Sequence, residues 1–229
     1  MGEALQQTQV GRPDAAAAQA LDRDGCLLLR AAIPGDWIEP LRAAFEAGTG
    51  HVWPAPQGPA WRHSLLDLDP AVRRVCRLPP LLAAVGRLLG GPFFLAQAEG
   101  REPRAGGGHQ LLHRDHPATA EVVSALAFLD AFGPGNGGTR IAAGTHRGDG
   151  RAAPDRIEHP ATFQLQGEAG DVLVFDASVL HGACVNRSGA ARRSLLITYC
   201  AMPLHAEYEA TRALRSVRIP TDEVFAPAG

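Results

Sequence analysis

The sequence predicts a mainly β protein, in which two sheets pack face to face as a jelly roll and helices cover one outer face. Two observations carry this prediction. Between about residues 93 and 201, short apolar or alternating segments are separated by Gly, Pro, Asn and Asp, which is typical of many short strands. Before residue 90, apolar residues recur instead at helical spacing. Chains with this order of elements commonly form two packed layers around one core.

The helical layer is expected mainly over residues 14–90. AAAAQALDRDG at 15–25 predicts a helix that ends near Gly25, and the apolar CLLL that follows predicts a strand. Asp36 stands where a second helix would begin, and its apolar face consists of Ile38, Leu41, Ala44 and Phe45. The same periodicity predicts two further helices, at 70–77 and 80–89.

The strand-rich part follows Gly90-Gly91-Pro92. Its eight strand candidates are FFLAQAE, LLHRD, VVSALAFLDAF, TRIAAGTH, ATFQLQ, GDVLVFD, VLHGACV and RRSLLITYCA. GPGNGG at 133–138 and GEAG at 167–170 predict turns. We expect residues 1–229 to form a single domain, with a jelly-roll core at about 93–201 and a flexible start at 1–13.

Composition excludes several classes of function. The 24 acidic and 22 basic side chains nearly balance, so the sequence predicts no nucleic-acid partner. Every basic residue is arginine, which excludes Schiff-base and P-loop lysine chemistry. Four cysteines occur without a CxxC pair, and no apolar segment approaches the length of a membrane span. We therefore expect a soluble, cytoplasmic protein without a membrane partner, and the oligomeric state stays open.

The densest polar cluster is HQLLHRDH at 109–116, which permits two kinds of metal site. On a helix, His109 and His113 would imitate the HExxH zinc motif, but Gln110 replaces the required glutamate and three glycines precede it. On a strand, His113 and Asp115 would project from the same face. A single His-x-Asp pair also occurs by chance, so the strand interpretation needs a third ligand.

His181 is the best candidate for that ligand, because among the later histidines it alone lies in a clear strand context, VLHGACV. Two imidazoles and one carboxylate form the facial triad of non-haem Fe(II) oxygenases. Arg192 follows eleven residues later, and we expect a hairpin to return it beside the histidine strand. A buried arginine needs an anion, which a dicarboxylate co-substrate would supply, while Arg193 has the opposite strand parity and is expected at the surface.

These segments resemble the phytanoyl-CoA dioxygenase family of Fe(II)/2-oxoglutarate-dependent oxygenases, from about Asp24 to Ala201. The resemblance rests on DGCLLLRAAIP, LLHRDH, SALAFLDAFGPGNGGTRIAAGTHR and GDVLVFDASVLHGACVNRSGAARRSLL, in that order. It implies a double-stranded β-helix (a cupin-like jelly roll) and a dioxygenase that uses Fe(II), 2-oxoglutarate and O2. The implied reaction is hydroxylation of an unactivated C–H bond of a small molecule, with release of succinate and CO2.

The resemblance also assigns residues. It gives His113, Asp115 and His181 to iron and Arg192 to the distal carboxylate of 2-oxoglutarate, with Gln97 as a further co-substrate contact. Relatives often have a hydroxyl residue where this chain has Ala183, and Ser124 is our candidate for the missing contact. Relatives that halogenate have a small residue at the position of Asp115, so the carboxylate here favours hydroxylation.

Candidate substrate contacts lie in two loops, one of which is expected over residues 51–64, and beside the His-x-Asp pair. They are Trp53, Trp61, Arg104 and His116. The tryptophans are equally compatible with packing of the helical layer on the sheet. Two other functions stay open: a cupin-type metal-binding isomerase or oxygenase that ignores 2-oxoglutarate, and a non-catalytic binding protein on the same scaffold.

Overall fold

The computed structural model describes residues 7–8, 15–49, 60–117, 119–147, 158–214 and 218–227. Its helices are α1 (Ala15–Asp24), α2 (Ile38–Ala47), α3 (Pro70–Val75), α4 (Pro79–Leu89) and α5 (His205–Ala210). Its strands are β1 (Gln7–Thr8), β2 (Cys26–Leu29), β3 (Trp61–Ser64), β4 (Phe93–Pro103), β5 (Gln110–His113), β6 (Val122–Phe128), β7 (Thr139–Ala142), β8 (Thr162–Gln164), β9 (Val172–Asp176), β10 (His181–Ala183), β11 (Ser194–Ala201) and β12 (Val224–Phe225). Each of the eight strand candidates overlaps one of these strands.

The strands form two sheets in the described part of the chain. The major sheet has the order β1-β2-β9-β6-β11-β4-β12, and β3 pairs with the other half of β4. The minor sheet has the order β5-β10-β7-β8. Apart from β1 and β2, paired strands run antiparallel. The mainly β prediction is therefore confirmed.

Residue alternation gives each strand of the major sheet two different faces. On β11, Leu195, Ile197 and Tyr199 are buried in the largest apolar cluster, together with side chains of α1 to α4 such as Leu21 and Phe45. The alternate residues of β11 face the minor sheet instead. The predicted helical layer thus covers one outer face of the major sheet and leaves the opposite face to build a cavity.

A second apolar cluster closes part of the space between the sheets. Phe128 and Phe175 of the major sheet lie in it with Ile141 of the minor sheet. The rings of Phe128 and Phe132 stack at 3.7 Å between centroids. Phe175 of this cluster also lines the cavity.

Two sequence predictions about connections are wrong. β10 and β11 belong to different sheets, so residues 184–193 cross from the minor to the major sheet and form no hairpin. The side chain of Asn186 organises this crossing, since it donates to Pro103 O and Ala190 O. A tight hairpin and a crossover use the same turn residues, so spacing alone does not separate them.

The second error is in segment 51–64, which we expected to be a loop. Residues 61–64 form β3, whereas 51–59 lie outside the described residues. β3 is short and polar, and its main-chain pairing with β4 rather than its side chains determines the strand. The expectation for residues 1–13 also falls largely outside the described residues, apart from β1. The sequence did not predict α5 or β12.

Within the described ranges, the helices are too short or too polar to cross a bilayer.

Candidate active site

Neighbouring strands of the minor sheet bring the two histidines together. β5 pairs with β10 so that His113 lies directly opposite His181, and the ring centroids are 4.6 Å apart. The sheet, rather than the chain between them, therefore sets the spacing of the two imidazoles.

Both imidazoles are oriented in the same way by the backbone. Nδ1 of His113 lies 2.8 Å from Leu111 O, and Nδ1 of His181 lies 3.0 Å from Val179 O. Because a carbonyl only accepts, each Nδ1 carries the proton and donates it, which leaves the lone pair on Nε2. Such a backbone contact is how proteins orient metal-binding histidines.

Asp115 completes the cluster from the turn after β5. Its backbone N–H donates to Ala177 O, and its carboxylate oxygens lie 3.6 Å from His113 Nε2 and 3.4 Å from His181 Nε2. Burial opposes ionisation of this carboxyl, whereas the two imidazoles, whenever they are protonated, hold the pKa of Asp115 well below its usual range. The carboxylate is therefore ionised throughout the physiological range.

The ligand atoms of these three residues all lie within 4.8 Å of one another. The separations are longer than good hydrogen bonds, so the three side chains face a shared space. Two neutral imidazoles and one carboxylate on one side of that space fit Fe(II) and similar divalent ions, and leave positions open for other ligands. The donor set thus fits the metal that the sequence predicts.

Arg192 is buried beside this cluster without a counter-ion. Its side chain is 3% exposed, Nε has no hydrogen-bond partner, and among the described residues none forms an ion pair with it. The guanidinium carbon lies 4.5 Å from the ring centroid of Phe132 and 5.6 Å from that of Trp61. Burial lowers the pKa of Arg192 to about 10, so it remains a cation at neutral pH.

Arg193, unlike Arg192, is paired with carboxylates of the protein. It forms a two-pronged ion pair with Asp130 and a further contact with Glu46, on the outer side of the sheet. The hydrogen bonds that Arg193 donates to Asp130 raise the pKa of Arg193 above its ordinary value. One arginine is therefore satisfied within the protein, whereas the other needs an external anion.

The metal-binding cluster and Arg192 line one cavity of about 310 Å³, a volume at the lower end of ligand sites. Its wall on β11 consists of Ser194, Leu196 and Thr198, which continue the parity of Arg192. The cavity therefore joins a cation site to a buried arginine, which suits a ligand with a chelating end and an anionic end.

Some of the other predicted site residues line this cavity and others do not. Gln97 and Ser124 line it from neighbouring positions on the major sheet, and each is paired with Thr198 of β11. Trp61 and His116 also line it. Arg104 is exposed and does not line it; its Nε donates to Trp61 O. Trp53 lies outside the described residues.

Sequence reasoning missed several polar side chains of the cavity: Arg101, Thr139, Ser194 and Thr198. The parity of Arg192 was the available signal for Ser194 and Thr198, because residues two and six positions further along an extended chain share its face. The other two required knowledge of which strands become neighbours.

The sequence pattern of the family described as phytanoyl-CoA dioxygenase (PhyH) matches residues 21–194, most of the chain. The chain belongs to this family. The match includes the three residues of the metal-binding cluster and Arg192. It ends at the first residue of β11, although that strand supplies part of the cavity wall.

Curated relatives of this PhyH-family chain are dioxygenases and hydroxylases. "Dioxygenase olcK" of Penicillium canescens is 28% identical over 210 residues, which cover 79% of this chain and 68% of the relative. L-proline trans-4-hydroxylase of Streptomyces griseoviridis is 29% identical over 175 residues, covering 60% of this chain and 65% of the relative. The iron/alpha-ketoglutarate-dependent dioxygenase okaE of Penicillium ochrochloron is 25% identical, covering 83% and 71%. The chain thus spans about two thirds of the length of these relatives.

Solved structures share the fold of this PhyH-family protein. HygX from Streptomyces hygroscopicus, with nickel, 2-oxoglutarate and hygromycin B bound, superimposes with a TM-score of 0.69 at 18% identity, covering 82% of this chain and 87% of that one. The 2-oxoglutarate-dependent epimerase SnoN from nogalamycin biosynthesis gives a TM-score of 0.67 at 18% identity, covering 81% and 82%. The double-stranded β-helix is confirmed, and iron, 2-oxoglutarate and O2 are the cofactor and co-substrates of the family.

Proposed function

We propose that this member of the PhyH family hydroxylates an unactivated C–H bond of a small molecule and converts 2-oxoglutarate and O2 to succinate and CO2. One oxygen atom enters the new hydroxyl group and the other enters succinate. The observation that carries the proposal is the buried, unpaired Arg192 in the same cavity as the His113, Asp115 and His181 cluster.

His113, Asp115 and His181 are the proposed iron ligands. When bound, Fe(II) would supply the binding and activation of O2 beside the substrate, with 2-oxoglutarate as the electron donor. The backbone carbonyls of Leu111 and Val179 keep both Nε2 atoms directed at the shared space. The protein thereby holds the ligands in place before any metal arrives.

Arg192 is the proposed partner of the distal carboxylate of 2-oxoglutarate. A guanidinium presents two parallel N–H groups to a carboxylate, and the rings of Phe132 and Trp61 limit its movement. Ser124 and Gln97 are proposed as further polar contacts, since both line the cavity. Trp61 and His116, which line the cavity, remain proposed substrate contacts, as do Trp53 and Arg104.

Hydroxylation is the proposed outcome for two reasons. The carboxylate at position 115 leaves no vacancy for a halide beside the histidines, and a hydroxylase of L-proline is among the relatives. Fold neighbours also include an epimerase and a carbocyclase, so the fold alone does not decide the outcome. The cytoplasmic location stays a prediction of the sequence.

An anaerobic visible spectrum tests the proposed function. Addition of 2-oxoglutarate to the Fe(II)-loaded protein should produce a charge-transfer band, because the keto acid chelates the metal. His181→Ala should lack the band. Bound iron without a band would contradict the use of 2-oxoglutarate and favour the cupin-type alternative.

A further inference from the structure

A second arginine faces the cavity, and nothing in the proposed chemistry uses it. Arg101 lies on β4 directly opposite Ser194 of β11, two residues beyond the position of Arg192 along that strand. Its side chain is one third exposed and lines the same cavity. The cavity is therefore lined by two arginines, one within β4 and one two residues before β11, although one co-substrate carboxylate engages only one of them.

Arg101 differs from Arg192 because it is held by the protein. Its Nε donates to Oε1 of Glu99, a carboxylate that is completely buried two residues earlier on the same face of β4. Within the described residues, its two terminal nitrogens make no hydrogen bond. A guanidinium anchored at Nε presents its terminal edge to the cavity, in the geometry that takes a carboxylate.

The cross-strand neighbours of Arg101 are His63 and Ser194. His63 lies opposite it in the pairing of β3 with β4. Burial, and after it the charge of Arg101, lowers the pKa of His63, which favours a neutral imidazole. Ser194 directs its hydroxyl to the backbone carbonyl of Arg101 instead.

Arg101 and Arg192 are held by different parts of the protein. Arg192 lies against the rings of Phe132 and Trp61. Arg101 lies within β4, opposite His63 of β3 and Ser194 of β11. Unlike Arg192, it already has a carboxylate partner, so it does not require an ion in the absence of substrate.

We infer that Arg101 binds a carboxylate of the prime substrate, and that the substrate is a compact organic acid. The inference rests on the proposed function, because it assigns Arg192 to 2-oxoglutarate. The small cavity, which must also hold 2-oxoglutarate, leaves room for a compact molecule. Glu99 is the positioning residue that directs the terminal nitrogens of Arg101 into the cavity.

The test compares acids with their neutral amides in protein loaded with Ni(II) and 2-oxoglutarate, where no turnover occurs. The probes are cyclopentanecarboxylate and benzoate, each beside its primary amide, and binding is measured by equilibrium dialysis. Wild-type protein should bind each acid at least about tenfold more tightly than its amide, because a charge-assisted contact is lost with the amide. Absence of this preference would overturn the inference.

Variants assign the preference to one side chain. Arg101→Gln should reduce the ratio of acid affinity to amide affinity to about one. Arg101→Lys should keep part of the preference, because lysine retains the positive charge but lacks the two parallel N–H donors of a guanidinium. Arg187→Gln is the matched control, since Arg187 is exposed and does not line the cavity. A full preference that survives in Arg101→Gln would contradict the assignment.

Two substitutions of Glu99 distinguish a role in positioning Arg101 from a role in stability alone. Glu99→Ala should lower the acid-to-amide ratio, and Glu99→Gln, which keeps an acceptor for Nε, should restore most of it while affinity for 2-oxoglutarate stays constant. Equal ratios in both variants would remove the positioning role.

Affinity for 2-oxoglutarate separates this inference from the proposed function. Arg101→Gln should change that affinity by less than about threefold, because Arg192 is intact. A loss as large as that in Arg192→Gln would assign Arg101 to the co-substrate and overturn the inference. If wild-type protein does not bind 2-oxoglutarate at all, the proposed function fails, and the acid and amide comparison in protein with Ni(II) alone still decides the role of Arg101.

Discussion

Arg192 is the side chain at which stability and function conflict. A cation buried without a partner is unfavourable, and the lowering of the Arg192 pKa from 12.5 to about 10 corresponds to about 3 kcal/mol. The adjacent Arg193, in contrast, is neutralised by Asp130. A fold retains such an unpaired charge at a cost in stability unless a ligand supplies the counter-charge.

Replacement of Arg192 by methionine should therefore stabilise the ligand-free protein while it impairs function. We expect the free energy of unfolding to rise by about 1–3 kcal/mol, because the methionine fills the space without a charge. Affinity for 2-oxoglutarate should fall about a hundredfold with the loss of two charge-assisted hydrogen bonds. Urea denaturation without ligands and calorimetric titration of the Ni(II)-loaded protein measure the two quantities.

Arg193→Met is the matched control for this substitution. It should lower stability by about 1–3 kcal/mol, since Asp130 loses its two-pronged partner, and should leave 2-oxoglutarate affinity unchanged. If the two variants exchanged these effects, the strand parity that places Arg192 in the cavity would be wrong.

At the scale of elements, the turn between β9 and β10 positions His181. Thr145 Oγ1 accepts the backbone N–H of Leu180, and Arg114 donates to the carbonyl oxygens of Thr145 and Ser178. Val179, in the same turn, supplies the carbonyl that orients the imidazole of His181. A disturbance of this turn should therefore be detected at the metal site.

Gly25, between α1 and β2, packs directly against that turn. It has a φ of +70°, and a Cβ at this position would lie 2.5 Å from His146 Nδ1 and 2.7 Å from Val179 Cγ2. Gly25→Ala should lower the free energy of unfolding by about 2–4 kcal/mol, through backbone strain and overpacking. It should also weaken Ni(II) binding, because Val179 is displaced. Denaturation and metal titration provide the measurements.

Gly90→Ala isolates the contribution of the backbone. Gly90 has a φ of +69°, but a Cβ there would meet nothing within 4 Å. We expect a loss of about 1 kcal/mol and unchanged metal affinity. Equal losses in the two alanine variants would mean that the contact with Val179 and His146 contributes nothing.

The sequence predicted the individual helices and strands well, but it predicted poorly which strands pair with each other. Alternation and helical spacing are local, so the helices α1 to α4 and the eight core strands were evident, and the same local patterns proposed His113, Asp115, His181 and Arg192 as site residues. The pairing of His113 with His181 and the crossover before Arg192 depend on sheet order, which local patterns do not contain. Arg101 was missed for the same reason, since only the pairing of β4 with β11 brings it to the cavity wall.

At the scale of the whole molecule, the two sheets supply different parts of one ligand site. The minor sheet carries His113 and His181, whereas Arg192 lies two residues before the start of β11 in the major sheet. A ligand that contacts both the metal and Arg192 therefore links the two sheets. Binding of such a ligand should be coupled to the stability of the entire fold.

Thermal unfolding measures this coupling directly. Ni(II) alone should raise the midpoint, 2-oxoglutarate alone should have little effect because its keto-acid end lacks a metal, and the two together should raise the midpoint further. A ligand present at a hundredfold excess over its dissociation constant adds about 2.7 kcal/mol, or about 5–10 °C for a chain of this size. His181→Ala should lose both the rise caused by Ni(II) and the further rise caused by 2-oxoglutarate. Arg192→Gln should lose only the rise caused by 2-oxoglutarate. An increment from metal without one from 2-oxoglutarate in wild-type protein would favour the cupin-type alternative, and the absence of both would favour a binding protein without catalysis.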